Sequence, residues 1–114
     1  YDLGEEWFRL TGLPFVYALW LLNRRSSSGK EVALRQFYRL LVQARDRIDS
    51  AADELAAQAP EALWMGREQL ADYWRHAITY SLDDQHHAGL FRYYQLAARH
   101  GLISGIPSLE FFNL

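Results

Sequence analysis

The four histidines, His76, His86, His87 and His100, are where metal or proton chemistry would be sought first in this 114-residue chain, because it contains no cysteine. Their spacing disfavours a shared metal. His86 and His87 are adjacent, so on a helix they diverge by about 100°, and no two histidines stand four apart, the spacing that places two imidazoles on one face. His76 lies among Tyr73, Arg75 and Tyr80 and has the setting of a surface or helix-end histidine rather than of a general base. Asp46, Asp49 and Asp53, with Arg45 and Arg47 beside them, follow the charge pattern of an exposed helix face. Arg24-Arg25 could hold a carboxylate, but a solvated turn is the stronger reading. The chain has no Ser-His-Asp order, phosphate-binding glycine loop or zinc spacing, so no metal or cofactor is expected.

Thr11-Gly12-Leu13-Pro14 is more informative. A tight turn there presents backbone N–H groups and the Thr11 hydroxyl, a combination that can receive an anion. Phe15 and Tyr17 follow at once and can flank a planar ring. Thr11, Gly12, Leu13, Pro14 and Phe15 are therefore the candidate substrate-binding residues, and no catalytic acid or base can be assigned. A purely structural role competes: Gly12 as a helix stop, Pro14 as a breaker, and the aromatic residues as core.

The bulk properties narrow the function classes. With 50% apolar and 15% aromatic residues, the chain can pack one core. The formal charge of −2 provides no basic excess for nucleic acid or an anionic membrane. A DNA-reading helix using Arg92 and Arg99 beside Tyr93 is accordingly the weakest functional reading. The longest apolar run is about half of what a membrane-spanning helix requires. The absence of cysteine fits a reducing, cytoplasmic setting. The acidic start lacks the features of a secretory leader, and without an initiator Met the chain is expected to begin inside a longer one.

Helices must position these residues. Asp2 caps a short helix to Leu10, with Gly12 as its stop. Ser28 and Glu31 make a capping-box pattern for a long helix whose stripe is Leu34, Phe37, Leu41, Ala44, Ile48, Ala51 and Leu55, with Pro60 closing it or opening the next short turn. A third helix is expected from Gly66 to about Tyr80, with Leu70, Trp74, Ala77 and Ile78 inward and Arg75 outward. A fourth, capped by Asp83 or Asp84, runs to His100 with Gly101 as its stop. The tail from Leu102 should lie down as an irregular strap.

The uninterrupted apolar run Phe15 to Leu22 reads differently. Pro14 at its start and its β-branched and aromatic content point to a strand buried on both faces, as in the middle of a parallel sheet. A helical reading, giving an all-α bundle, is the alternative. One strand beside four helices cannot form a sheet, and its unpaired backbone groups would be costly to bury. The expected fold is thus α/β and helix-rich, with the sheet completed by residues before Tyr1 or by another copy. The latter makes a homo-oligomer built by strand pairing or swapping the expected assembly.

The segment "YDLGEEWFRLTGLPFVYALW" resembles the chorismate dehydratase family of menaquinone biosynthesis by the futalosine route. The resemblance is carried by Asp2, Leu3, Gly4, Glu5, Trp7, Thr11, Gly12, Leu13, Pro14, Phe15, Val16, Ala18 and Trp20, and by the closing stretch "YSLDDQHHAGLFRYYQLAARHGLI". It implies a two-lobed fold like that of the type II periplasmic binding proteins, with residues 1–13 ending the second lobe at the hinge and residues 14–114 forming the C-terminal part of the first. It also implies a cofactor-free carbon–oxygen lyase acting on chorismate, of which this chain is the C-terminal portion and by itself inactive. A small-carboxylate binding protein of the same fold and a helical interaction module are the competing classes.

Overall fold

The computed structural model describes residues 1–112. Its elements are helices α1 (Leu3–Thr11), α2 (Arg24–Ser27), α3 (Glu31–Asp46), α4 (Ile48–Gln58), α5 (Ala62–Met65) and α6 (Arg67–Asp72), a π-helical segment Tyr73–Ala77, and α7 (Asp84–Arg99). No strand occurs among the described residues, which overturns the α/β expectation. No described helix is long and apolar enough to cross a membrane.

The chain divides into two compact units, one formed by Tyr1–Asn23 together with residues 81–112, the other by Arg24–Tyr80. In the first unit, α1 begins where the Asp2 side chain accepts a hydrogen bond from the Glu5 N–H at 2.9 Å, and it ends at Gly12, whose φ of 69° is left-handed. Both boundaries follow from short-range chemistry: a carboxylate satisfies an orphan N–H, and a residue without Cβ turns the chain out of the helix. Helix α7 starts the same way, the Asp83 side chain accepting from the His86 N–H at 3.0 Å.

Between α1 and the second unit, residues 14–23 adopt neither helix nor strand. The expected strand fails for a physical reason. Strand propensity expresses fit to a pleated, half-buried surface, and here the apolar side chains find helices instead of neighbouring strands. Phe15 packs edge-on to Trp7 of α1 and to Tyr93 of α7, at centroid distances of 5.7 Å for both. Nor is the segment enclosed on both faces, since Trp20 and Leu21 are 79% and 86% exposed. The sheet-completing neighbours and the strand-paired oligomer inferred from this run lose the element on which they rested.

In the second unit, the long helix expected through residue 55 breaks at Arg47, whose N–H turns to the Ala44 and Arg45 carbonyls, giving α3 and α4. The core is Ala52 and Ala56 of α4 against Leu70 and Ala71 of α6, with Ala59, Ala62, Met65 and Trp74 packed around them. Leu55, placed by periodicity on the inward stripe, is 48% exposed instead. Small side chains explain the rotation. Two alanines one turn apart let α4 and α6 approach closely, which a leucine at that position would prevent. The third helix is also divided, leaving its α-helical path at Tyr73 and ending at Ala77. Arg75, expected outward, folds back on α4, donating from Nε to the Asp49 carbonyl at 3.2 Å and from both terminal nitrogens to the Asp53 carboxylate.

Candidate functional site: an aromatic groove on α7

The first unit carries an open groove of about 300 Å³. One wall is the irregular segment, contributing Phe15 through Leu19 and Leu21, and the other is Leu90, Tyr93 and Tyr94 of α7. Three features of the sequence place these walls. The first is the Thr11 turn. The Thr11 hydroxyl donates to the Trp7 carbonyl at 2.8 Å and accepts from the Leu13 N–H at 3.2 Å, while the Gly12 N–H donates to the Phe8 carbonyl at 2.7 Å. The groups expected to receive an anion are thus engaged by α1 itself, and the turn's contribution is to aim Phe15.

The second is Gly89, buried on α7. A Cβ built on it would lie 2.1 Å from the Pro14 carbonyl oxygen, so only glycine lets the irregular segment 14–23, a strap over α7, cross the helix this closely. The third is Gly4, where a Cβ would meet the Tyr17 hydroxyl at 2.6 Å. That hydroxyl also donates to the Asp2 Oδ1 at 3.5 Å, tying the groove wall to the start of α1.

Aromatic edges fill the space behind the groove. Phe15 meets Tyr17 at 4.8 Å, Trp7 meets Tyr93 at 5.9 Å, and Tyr93 meets Tyr94 at 6.1 Å, all in edge-on arrangements. Such contacts add about 0.5–1.5 kcal/mol each beyond area burial. They also hold the tyrosine rings in fixed planes. The Trp7 Nε1 is buried with no hydrogen-bond partner, a local cost tolerated within this cluster.

Of the sequence candidates, Phe15 lines the groove, Tyr17 lines it as well, and Thr11, Gly12, Leu13 and Pro14 support it. The others lie elsewhere. His76 pairs with Asp72 at 3.5 Å on the exposed surface of the second unit, and Asp46 pairs with the neighbouring Arg45 at 2.7 Å. Among the described residues no group of three or more potential ligands could hold a metal ion. His87 stacks on Phe111, rings 4.9 Å apart and 23° from parallel, so part of the tail does lie against α7.

Sequence reasoning missed one arrangement. The His86 Nδ1 lies 2.7 Å from Asp83 Oδ1, and its side chain is only 18% exposed. The Asp83 carboxyl is held below its usual range, first by the His86 N–H and then by the His86 ring. The Asp-x-x-His spacing at a capped helix start was visible in the sequence as a cap, not as a contact with the histidine ring.

A family model described as menaquinone biosynthesis matches residues 1–99. No solved structure matches the chain.

Proposed function

The chain belongs to the menaquinone biosynthesis family, and from that premise we propose that it is the C-terminal portion of a cytoplasmic chorismate dehydratase. The reaction is the loss of water from chorismate to give 3-[(1-carboxyvinyl)oxy]benzoate, driven by aromatisation of the ring. Such an elimination requires a base for the ring proton, a donor for the departing hydroxyl, and fixed N–H or cationic groups for two carboxylates.

The observation that carries this reading is the convergence of the family-like segment on one groove. Asp2 and Gly4 place Tyr17, Trp7 backs Phe15, and Thr11 to Pro14 direct Phe15 into the wall. A groove of about 300 Å³ with aromatic walls suits a six-membered ring that becomes planar as it reacts. The walls are apolar and phenolic, so their part is to hold the ring, and the groups that neutralise the carboxylates belong to other regions of the complete protein.

The test is to incubate the complete gene product with chorismate and follow the product by mass and ultraviolet absorbance. Formation of 3-[(1-carboxyvinyl)oxy]benzoate well above the buffer rate is expected. Chorismate binding without turnover would replace the lyase reading with that of a small-carboxylate binding protein.

A further inference from the structure

Helix α3 is the longest element of the second unit, yet it contributes no buried residue, and the core of that unit is made by α4 and α6. One stripe of α3 runs through Glu31, Leu34, Tyr38, Leu41 and Arg45, in alternating steps of three and four that keep the five positions within about 80° of one another. This is the spacing of a seam between two helices. Tyr38 is 51% exposed, and Leu34 and Leu41 are half-buried. Glu31 and Arg45, at the two ends, are exposed.

The stripe reads alike from either end except in charge. Tyr38 is its centre, a leucine stands on each side, and Glu31 and Arg45 lie about 10 Å beyond it in opposite directions. The same stripe on a second copy, run antiparallel, sets Tyr38 over Tyr38 and leucine against leucine. It also sets Glu31 of each chain against Arg45 of the other. A parallel pair would oppose like charges at both ends and align the two helix dipoles, so charge selects the antiparallel arrangement. Both groups have the capacity for this. Arg45 uses Nε and one terminal nitrogen on the neighbouring Asp46, and its guanidinium carries further N–H donors. Glu31 accepts the Gly29 N–H through Oε1, and its other oxygen is an acceptor too. Arg35 and Arg39 lie about 80° or more round the helix from the middle of the stripe, outside the seam.

We infer that α3 is a self-complementary surface through which two copies of the protein pair, antiparallel about Tyr38. The seam is about 24 Å long and buries less than the roughly 1,200 Å² of a stable complex. Pairing is therefore weak and concentration-dependent, with a Kd of the order of tens of micromolar. The terminal charges set direction and register, and the apolar centre supplies the contact.

The test is sedimentation equilibrium of the complete gene product over a concentration series, where a monomer–dimer equilibrium is expected. Arg45→Glu sets like charges together twice in each pair and should weaken association about tenfold. Combining it with Glu31→Arg should restore most of the loss, because the exchanged charges attract again. A second measurement does not depend on charge. Tyr38→Cys lies on the twofold axis and should yield a covalent dimer on mild oxidation, whereas Gln36→Cys, about 180° round the helix from the stripe, should not. A parent that stays monomeric up to about 500 μM would mean that another region of the complete protein covers the stripe, and would overturn the inference. So would a dimer indifferent to Arg45→Glu, or equal cross-linking at positions 36 and 38. None of these outcomes depends on whether chorismate is turned over.

Discussion

Gly89 of α7 and the Pro14 carbonyl lie so close that a Cβ on the glycine would come within 2.1 Å of the oxygen and 3.3 Å of its carbon. Both obstructing atoms are backbone, so no side-chain rotation relieves the clash. Gly89→Ala is expected to push the strap off the helix, cost about 2–3 kcal/mol of stability, and open the groove between Phe15 and Tyr93. Denaturant titration measures the first effect, and tyrosine and tryptophan fluorescence reports the second. A variant as stable as the parent would show that the strap does not rest on α7.

Thr11 tests whether its turn acts by position. Thr11→Val preserves the shape and removes both hydrogen bonds of the hydroxyl, to the Trp7 carbonyl and from the Leu13 N–H. A loss of about 1–2 kcal/mol is expected in unfolding. Thr11→Ser should recover most of it, because its hydroxyl can make the same two bonds. A loss in Thr11→Ser with none in Thr11→Val would assign the effect to the methyl group instead.

The half-buried Trp7 separates packing from hydrogen bonding. Its ring meets both Phe15 and Tyr93 edge-on, while its Nε1 has no partner. Trp7→Ala is expected to cost about 3 kcal/mol or more. Trp7→Phe should cost less than half as much, since it keeps an aromatic edge and removes the orphaned N–H. Thermal unfolding of the two variants side by side provides the comparison.

The parts of this fold legible from sequence are those decided within a few residues. Asp2 with Gly12, and Asp83 with Gly101, mark helix ends through contacts that the chain makes with itself. The expected Ser28–Glu31 capping box does not form: Lys30 occupies the cap position without a side-chain cap bond, and Glu31 accepts from the Gly29 N–H at 3.1 Å instead of from that of Ser28. What depended on distant partners was misread. The Phe15–Leu22 run has the composition of a strand, but composition does not specify what the apolar side chains meet, and here Phe15 meets Trp7 of α1 and Tyr93 of α7 while Trp20 and Leu21 remain largely exposed. Periodicity likewise chose Ala51 and Leu55 as the buried face of α4, whereas close approach to α6 selects Ala52 and Ala56. The groove was half visible: Phe15 and Tyr17 were singled out, but nothing near them in the chain points to the opposing Leu90, Tyr93 and Tyr94. The adjacent histidines show the same limit, since only the structure distinguishes the one turned to Asp83 from the one stacked on Phe111.

Two carboxylates give the protein an acid-sensitive edge. The His86 backbone and ring hold Asp83 below the ordinary value of 3.8, and the Arg75 guanidinium, chiefly through hydrogen bonding, does the same for Asp53. A group whose folded pKa is depressed binds its proton more readily when unfolded. Its stabilising effect is therefore complete above the unfolded value and disappears as pH falls through the folded one. The urea midpoint is expected to decline as pH drops below about 4, the ordinary carboxylate range. Asp83→Asn retains a competent helix cap but cannot titrate, so it should flatten part of that decline. Asp53→Asn should flatten another part, since it breaks the ion pair with Arg75. Because Asp53 is 75% exposed, added salt should weaken its share noticeably. Acid slopes identical in the parent and both variants would place the sensitivity on other carboxylates and show that neither contact survives in solution.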